Sequence, residues 1–288
     1  MAEVTAPPSY EIVIQPSRGW LRIDCREMWE YRDLLVLLVQ RDFISRYKQT
    51  ILGPLWHLLQ PVMNAAIYFV IFTLVAGVPT DGFPQPLYYL TTQLAWNYFA
   101  QNVTTGGATF INNAGLFGKV YFPRLIVPAS VIVANLISVG LGLVPFVLCF
   151  AYYKFFTVAG ATLHITPLLL LAPLPIIQTA LLSLGVSLWM SASTAKYRDL
   201  VHLNQYIIQV WMLASPVIWA LSQVPAKWHW VALLNPMIVP IEALRICLLG
   251  RGALSAGDIA VSVVMTLLIL LGGIAVFQKV EKTVVDSV

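Results

Sequence analysis

The 288-residue chain is 59% hydrophobic and only 10% charged, whereas a soluble domain carries about 25% charged residues. Its apolar runs reach about 20 residues with almost no charge and no strand-like alternation, which excludes a soluble globular protein and a β-barrel and predicts an all-α integral membrane protein. The formal net charge of +4 comes without the soluble basic face that a nucleic-acid partner needs.

Residues 1–25 hold Pro7, Pro8, Pro16 and Gly19 and read as an irregular cytoplasmic arm; with no apolar core near the start, a cleavable leader is not expected. Residues 26–49, "REMWEYRDLLVLLVQRDFISRYKQ", contain no Gly or Pro and predict an interfacial helix, with Trp29, Tyr31 and Tyr47 suited to headgroup level. Its apolar run at 34–39 goes all the way round a helical wheel, so part of it is expected to pack on protein. The stretch "SRYKQTILGPLW" at 45–56 then sets Arg46 and Lys48 beside the first long apolar run and enters that run through Gly53-Pro54, a helix break.

Six transmembrane helices are predicted, at 55–78, 87–105, 125–153, 167–192, 204–221 and 259–277. With a cytoplasmic N-terminus, 13 of the 17 Lys and Arg residues fall on inner segments, so cationic-loop retention places both termini in the cytoplasm.

The second span, "LYYLTTQLAWNYFAQNVTT", is unusually polar: Gln93, Asn97 and Gln101 recur every fourth residue, with Tyr89 extending the stripe. Two readings stay open. Amides can bond neighbouring helices as structural glue, or they can line a wet conduit. Residues 106–128 follow, broken by glycines, Asn112-Asn113 and Pro123, and a short charged loop occupies 193–203. Between 222 and 258 two apolar stretches are interrupted by Pro225, Pro236 and Pro240, which predicts short re-entrant helices on the outer side. There Glu242 and Arg245, three apart, can pair on one helical face.

Missing chemistry is equally informative. From 55 to 277 the only carboxylates are Asp81, Asp199, Glu242 and Asp258, all expected outside the spans, and the four histidines are solitary. This gives no metal cluster, no acid–base pair and no ion-coupling carboxylate at mid-membrane. Cys25, Cys149 and Cys247 are scattered as packing residues, and no GxxxxGK[ST] phosphate loop is present. If the chain serves a pump, the motor is another polypeptide.

"RDFISRYKQTILGPLWHLLQP" at 41–61 resembles the signature that opens the membrane domain of ABC-2-type polysaccharide export permeases, the transmembrane subunits of O-antigen, teichoic-acid and capsule-type exporters. The likeness continues in "KVYFPRLIVP" at 119–128 and "LLNPMIVPIEALR" at 233–245. It implies a homodimer in the bacterial inner membrane with two cytoplasmic ABC ATPase subunits, which bind the ATP and Mg while this chain holds no cofactor. The cargo implied is a lipid-linked glycan. In such a protein residues 26–49 form a gate helix and 50–288 the transmembrane domain, and the loop holding Asn112, Lys119, Tyr121 and Arg124 carries the ATPase-coupling helix. The resemblance makes Tyr89, Gln93, Trp96, Asn97 and Gln101 candidates for the substrate path. Arg41, Arg46 and Lys48 become candidates for the substrate phosphate, beside the plainer reading that they set orientation and touch anionic lipid. Span two is more polar than in many relatives, and the competing function is a membrane enzyme or flippase-associated subunit of lipid-linked glycan assembly.

Overall fold

A chain so rich in apolar runs and so poor in charge satisfies its backbone internally by forming helices, and among the described residues every regular element is a helix. The computed structural model describes residues 25–48, 50–117, 122–164, 166–197, 199–252 and 254–285. Nearly all of the expected arm at 1–25 lies outside them, as do Gln49, Lys119 and Tyr121.

The predicted interfacial helix forms as α1 (Cys25–Glu30) and α2 (Arg32–Tyr47). Leu38 packs against Phe122, Ile126 and Val127, while Trp29, Leu37 and Ile44 stay exposed, so one side of the run meets protein as expected. Gly53 sits at φ +48°, a left-handed turn that a β-carbon would strain. The chain then makes one tight turn and enters α3 (Trp56–Tyr68), which continues as a π-helical stretch, Phe69–Val75.

Helix α4 (Gln85–Gly106) is the hub. It packs against α7 (Ile126–Phe156), α8 (Pro173–Lys196) and α11 (Ile238–Leu249). At about 33 Å it is long enough to cross a bilayer, yet it is not among the apolar candidates for a crossing. Protein surrounds it, and a helix that lipid does not touch needs no apolar surface. The short α5 (Thr109–Asn112) and α6 (Ala114–Phe117) follow.

Among the described residues four helical stretches are long and apolar enough to span: Trp56–Val75, Ile126–Phe156, Pro167–Lys196 and Ala256–Glu281. The last lies in α12 (Ala256–Val285), which packs along α8. There a β-carbon on Gly273 would meet the Gly185 carbonyl oxygen at 2.4 Å and one on Gly185 the Leu270 backbone at 2.8 Å. Two glycines therefore set the spacing of this pair, as small residues do in membrane bundles. A fifth candidate is the pair Ala226–Leu233 and Ile238–Leu249, bent by 106°, which includes α10 (His229–Leu233).

The stretch expected to span at 204–221 is helical only as α9 (Leu200–Leu213). Beyond it residues 215–218 are buried without regular structure, and side chains bond the backbone in and beside this stretch: Thr92 donates to the Val217 carbonyl (3.0 Å), Tyr88 to that of Trp219 (2.8 Å) and Asn235 to that of Ala214 (3.0 Å). Irregular backbone at depth survives on such terms.

Candidate functional site

Two hollows lie along the same edge of α4. The deeper, about 300 Å³, is enclosed by α3, α4 and α7 and lined by His57, Gln60, Gln93, Asn97, Gln101, Thr104, Thr105 and Ser138 among apolar neighbours. The stripe read from sequence converges here, because residues four apart on a helix share a face. Gln93 is only 1% exposed, and neither its amide oxygen nor its amide nitrogen has a hydrogen-bond partner among the described residues. A buried amide left so costs about 1–3 kcal/mol. Ser138 and His57 face each other across the hollow, with 3.4 Å between Oγ and Nε2. No carboxylate lines this space; its chemistry is that of neutral donors and acceptors.

The other residues assigned to the path lie elsewhere. Tyr89 is buried, its hydroxyl 3.2 Å from that of Thr73 and its ring edge-on to Tyr68 and Tyr88. Trp96 is 4% exposed and packs against Phe99 in the main core. Neither borders the hollow.

The second hollow, about 470 Å³, is lined by Arg41, Asp42, Ser45 and Arg46 of α2, by Thr105, Thr109, Asn112 and Asn113, and by Val131 of α7. Thr105 borders both hollows. The structure thus joins two cations of the opening motif to Asn112 of the following loop. Arg41 is partly neutralised: its Nη2 and Nε donate to Asp42 Oδ1 at 2.7 and 2.9 Å, and Nη2 also reaches Asn113 Oδ1 at 3.3 Å. Lys48 lies just past the end of α2, exposed and away from this lining. Arg124 is tied down, with Nη1 donating to the Glu281 carbonyl (3.2 Å), Nε 3.7 Å from the Glu281 carboxylate and the guanidinium over the Phe117 ring. Lys119 and Tyr121, the other coupling candidates, lie outside the described residues.

Arg46 reaches further inward. Its Nη1 donates to Asn135 Oδ1 (2.8 Å), Asn135 Nδ2 donates to Asn102 Oδ1 (2.8 Å), and Asn102 Nδ2 donates to Ser183 Oγ (2.9 Å). Ser183 in turn donates to the Ala180 carbonyl at 3.0 Å. Asn135, Asn102 and Ser183 are wholly buried, and the direction of the chain fixes both amide orientations. Sequence reading passed over these three. For Asn135 the available signal was a lone amide within an apolar run, "SVIVANLISVG".

At the far end of α4, Arg245 is fully buried. It donates to Glu242 and to the Tyr88 hydroxyl, lies 4.0 Å from Asp81 and sits over the Tyr88 ring. The Glu242–Arg245 pair expected from spacing is present.

Long apolar helices packed around a polar, largely buried one are the architecture of a multi-pass membrane protein. Residues 33–249 match the ABC-2 type transporter family, and the chain belongs to that family. It is similar to the O-antigen export system permease protein RfbA of Myxococcus xanthus, with 31% identity over 216 residues, 74% of this chain and 79% of that protein. It is also similar to RfbA of Klebsiella pneumoniae, with 27% identity over 252 residues, 86% of this chain and 92% of that one. A second Klebsiella pneumoniae protein of the same name matches to the same extent. Family membership makes the chain a transporter subunit whose partner is an ABC ATPase.

Proposed function

We propose that the chain is the permease subunit of an ATP-driven exporter that moves a lipid-linked polysaccharide, of the O-antigen or a related class, from the cytoplasmic face across the bacterial inner membrane. The observation that carries this is the amide-lined hollow inside the family domain. Gln60, Gln93, Asn97 and Gln101 offer neutral donors and acceptors that match sugar hydroxyls and repel no part of an uncharged glycan. The export relatives supply the cargo class.

In this reading six helices cross the membrane, with both termini cytoplasmic. Helix α4 and the 200–221 segment complete the apolar four, and the bent pair α10–α11 is re-entrant from the outer face. Residues 26–49 form the gate helix after a cytoplasmic arm at 1–25, and 50–288 form the transmembrane domain. Arg41 and Arg46 receive the phosphate of the carrier lipid. Asn112, Lys119, Tyr121 and Arg124 lie on the segment that meets the ATPase. Two copies of this chain act with two ATPase subunits that bind ATP and Mg.

Deleting the gene should abolish surface polysaccharide and cause its lipid-linked precursor to accumulate inside the cell, and the tagged chain should co-purify with an ABC ATPase. Surface polysaccharide that persists at normal levels in the deletion strain rejects the reading. In the intact complex, Ala at both Gln93 and Asn97 should cut export while ATPase co-purification is retained.

A further inference from the structure

Along α7, Val131 borders the inner basic hollow and Ser138 borders the deeper cavity, and Asn135 lies between them, one helical turn from each. Along α4 and into α5 the same order holds. Thr109, the first residue of α5, belongs to the basic hollow and Gln101 of α4 to the cavity; Thr105 borders both, and Asn102 is one turn from it. The bond from Arg46 to Asn135 therefore crosses at the junction of the two spaces. We propose that this bond is a bar between them, and that a phosphate group drawn into the basic hollow opens it by taking the Arg46 guanidinium from Asn135. The source of that phosphate, the carrier lipid of the cargo, rests on the export reading above.

The choice of partners gives the bar its character. Asn135 accepts through a neutral oxygen, and its nitrogen is already committed to Asn102, which Ser183 holds in turn. The acceptor is thus aimed at Arg46 and cannot follow it. Among the described residues no carboxylate forms an ion pair with Arg46. A phosphate brings charged oxygens that match the guanidinium fork in pairs, stronger than a single bond to an amide. The guanidinium has more to gain from the phosphate than it loses at Asn135, and this difference selects the open state. Arg46 touches the phosphate in this scheme, and Asn135, Asn102 and Ser183 are positioning residues.

The test uses inside-out vesicles holding the full transporter with its ATPase. Cys25, Cys149 and Cys247 are replaced by Ala, and Gln101→Cys reports access to the cavity through its rate of reaction with a membrane-impermeant thiol reagent. Asn135→Asp, which gives Arg46 a charged acceptor, should slow labelling about fivefold; Asn135→Leu, which removes the acceptor, should speed it by a similar factor, as a difference of one charge-assisted bond implies. A polyprenyl diphosphate added to the vesicles should speed labelling with Asn135 intact and do so less in Asn135→Asp. A matched arm with phosphatidylglycerol separates the sources: an equal response there supports the bar with a lipid headgroup as its key. Co-purification with the ATPase checks folding, and Asn135→Ser replaces Asn135→Leu if the latter fails it. The bar is overturned if the Asp variant and the acceptor-removing variant shift labelling in the same direction, or if neither phosphate lipid changes it. The export reading stands or falls separately, on surface polysaccharide in the deletion strain.

Discussion

Arg245 and Arg46 lie near opposite ends of α4, and the protein treats them oppositely. Arg245 is fully enclosed and compensated, with the Glu242 carboxylate, the Tyr88 hydroxyl and ring, and Asp81 at 4.0 Å, although its Nε lacks a partner. Arg46 is only partly buried, borders a hollow and bonds to a neutral amide. A buried guanidinium facing a carboxylate is fixed, because moving it would leave two uncompensated charges. One facing an amide keeps its charge available to any anion that enters. The same residue type thus serves as an anchor in one place and as an exchangeable contact in the other.

Breaking the anchor should have the largest effect. Arg245→Met leaves Glu242 buried and unpaired and should cost about 3–5 kcal/mol, read as a lowered midpoint of thermal unfolding in detergent; adding Glu242→Leu should recover most of it. Tyr88→Phe removes the acceptor for Arg245 and the donor to the Trp219 carbonyl while keeping the ring, and should cost about 1–3 kcal/mol by the same measurement. Arg46→Gln is a milder test. Stability should fall by about 1 kcal/mol, while ATPase stimulation by a lipid-linked glycan should fall more than basal turnover; equal loss of both would make Arg46 an anchor of the Arg245 type. The smallest stability change, and the only one of opposite sign, is expected at Gln93. Because its amide has no partner, Gln93→Leu should be neutral or slightly stabilising yet reduce export, and lost stability there would show that the amide is structural glue.

The apolar runs made the crossing helices legible, and boundaries at 55–78, 125–153, 167–192 and 259–277 fall close to the helices observed. Within 204–221 the regular α-helix stops at Leu213, because apolar composition does not distinguish a continuous helix from irregular backbone packed in protein, as at Val217 and Ile218. The amide period placed Gln93, Asn97 and Gln101 correctly on one face. A four-residue step overshoots a helical turn by about 40°, so Tyr89 has rotated away by the time the stripe reaches it. Trp96, adjacent to Asn97 in sequence, is about 100° away on the wheel and belongs to the core. Asn135 escaped notice as a lone amide in an apolar run and Asn102 because it lies beside the amide stripe, off its four-residue period; each takes its meaning from a partner 33 or more positions away.

Helix α4 also bears on biogenesis. Its stretch "LYYLTTQLAWNYFAQNVTT" carries four amides that the translocon scores against lateral release into lipid, and three of the helices that pack on it, α7, α8 and α11, are made later. A nascent chain ending just after α4 therefore lacks the surroundings that make this helix stable in the membrane. In the six-span reading proposed above, insertion of α4 is provisional until the downstream hydrophobic helices emerge, and assembly, not partitioning, completes that crossing.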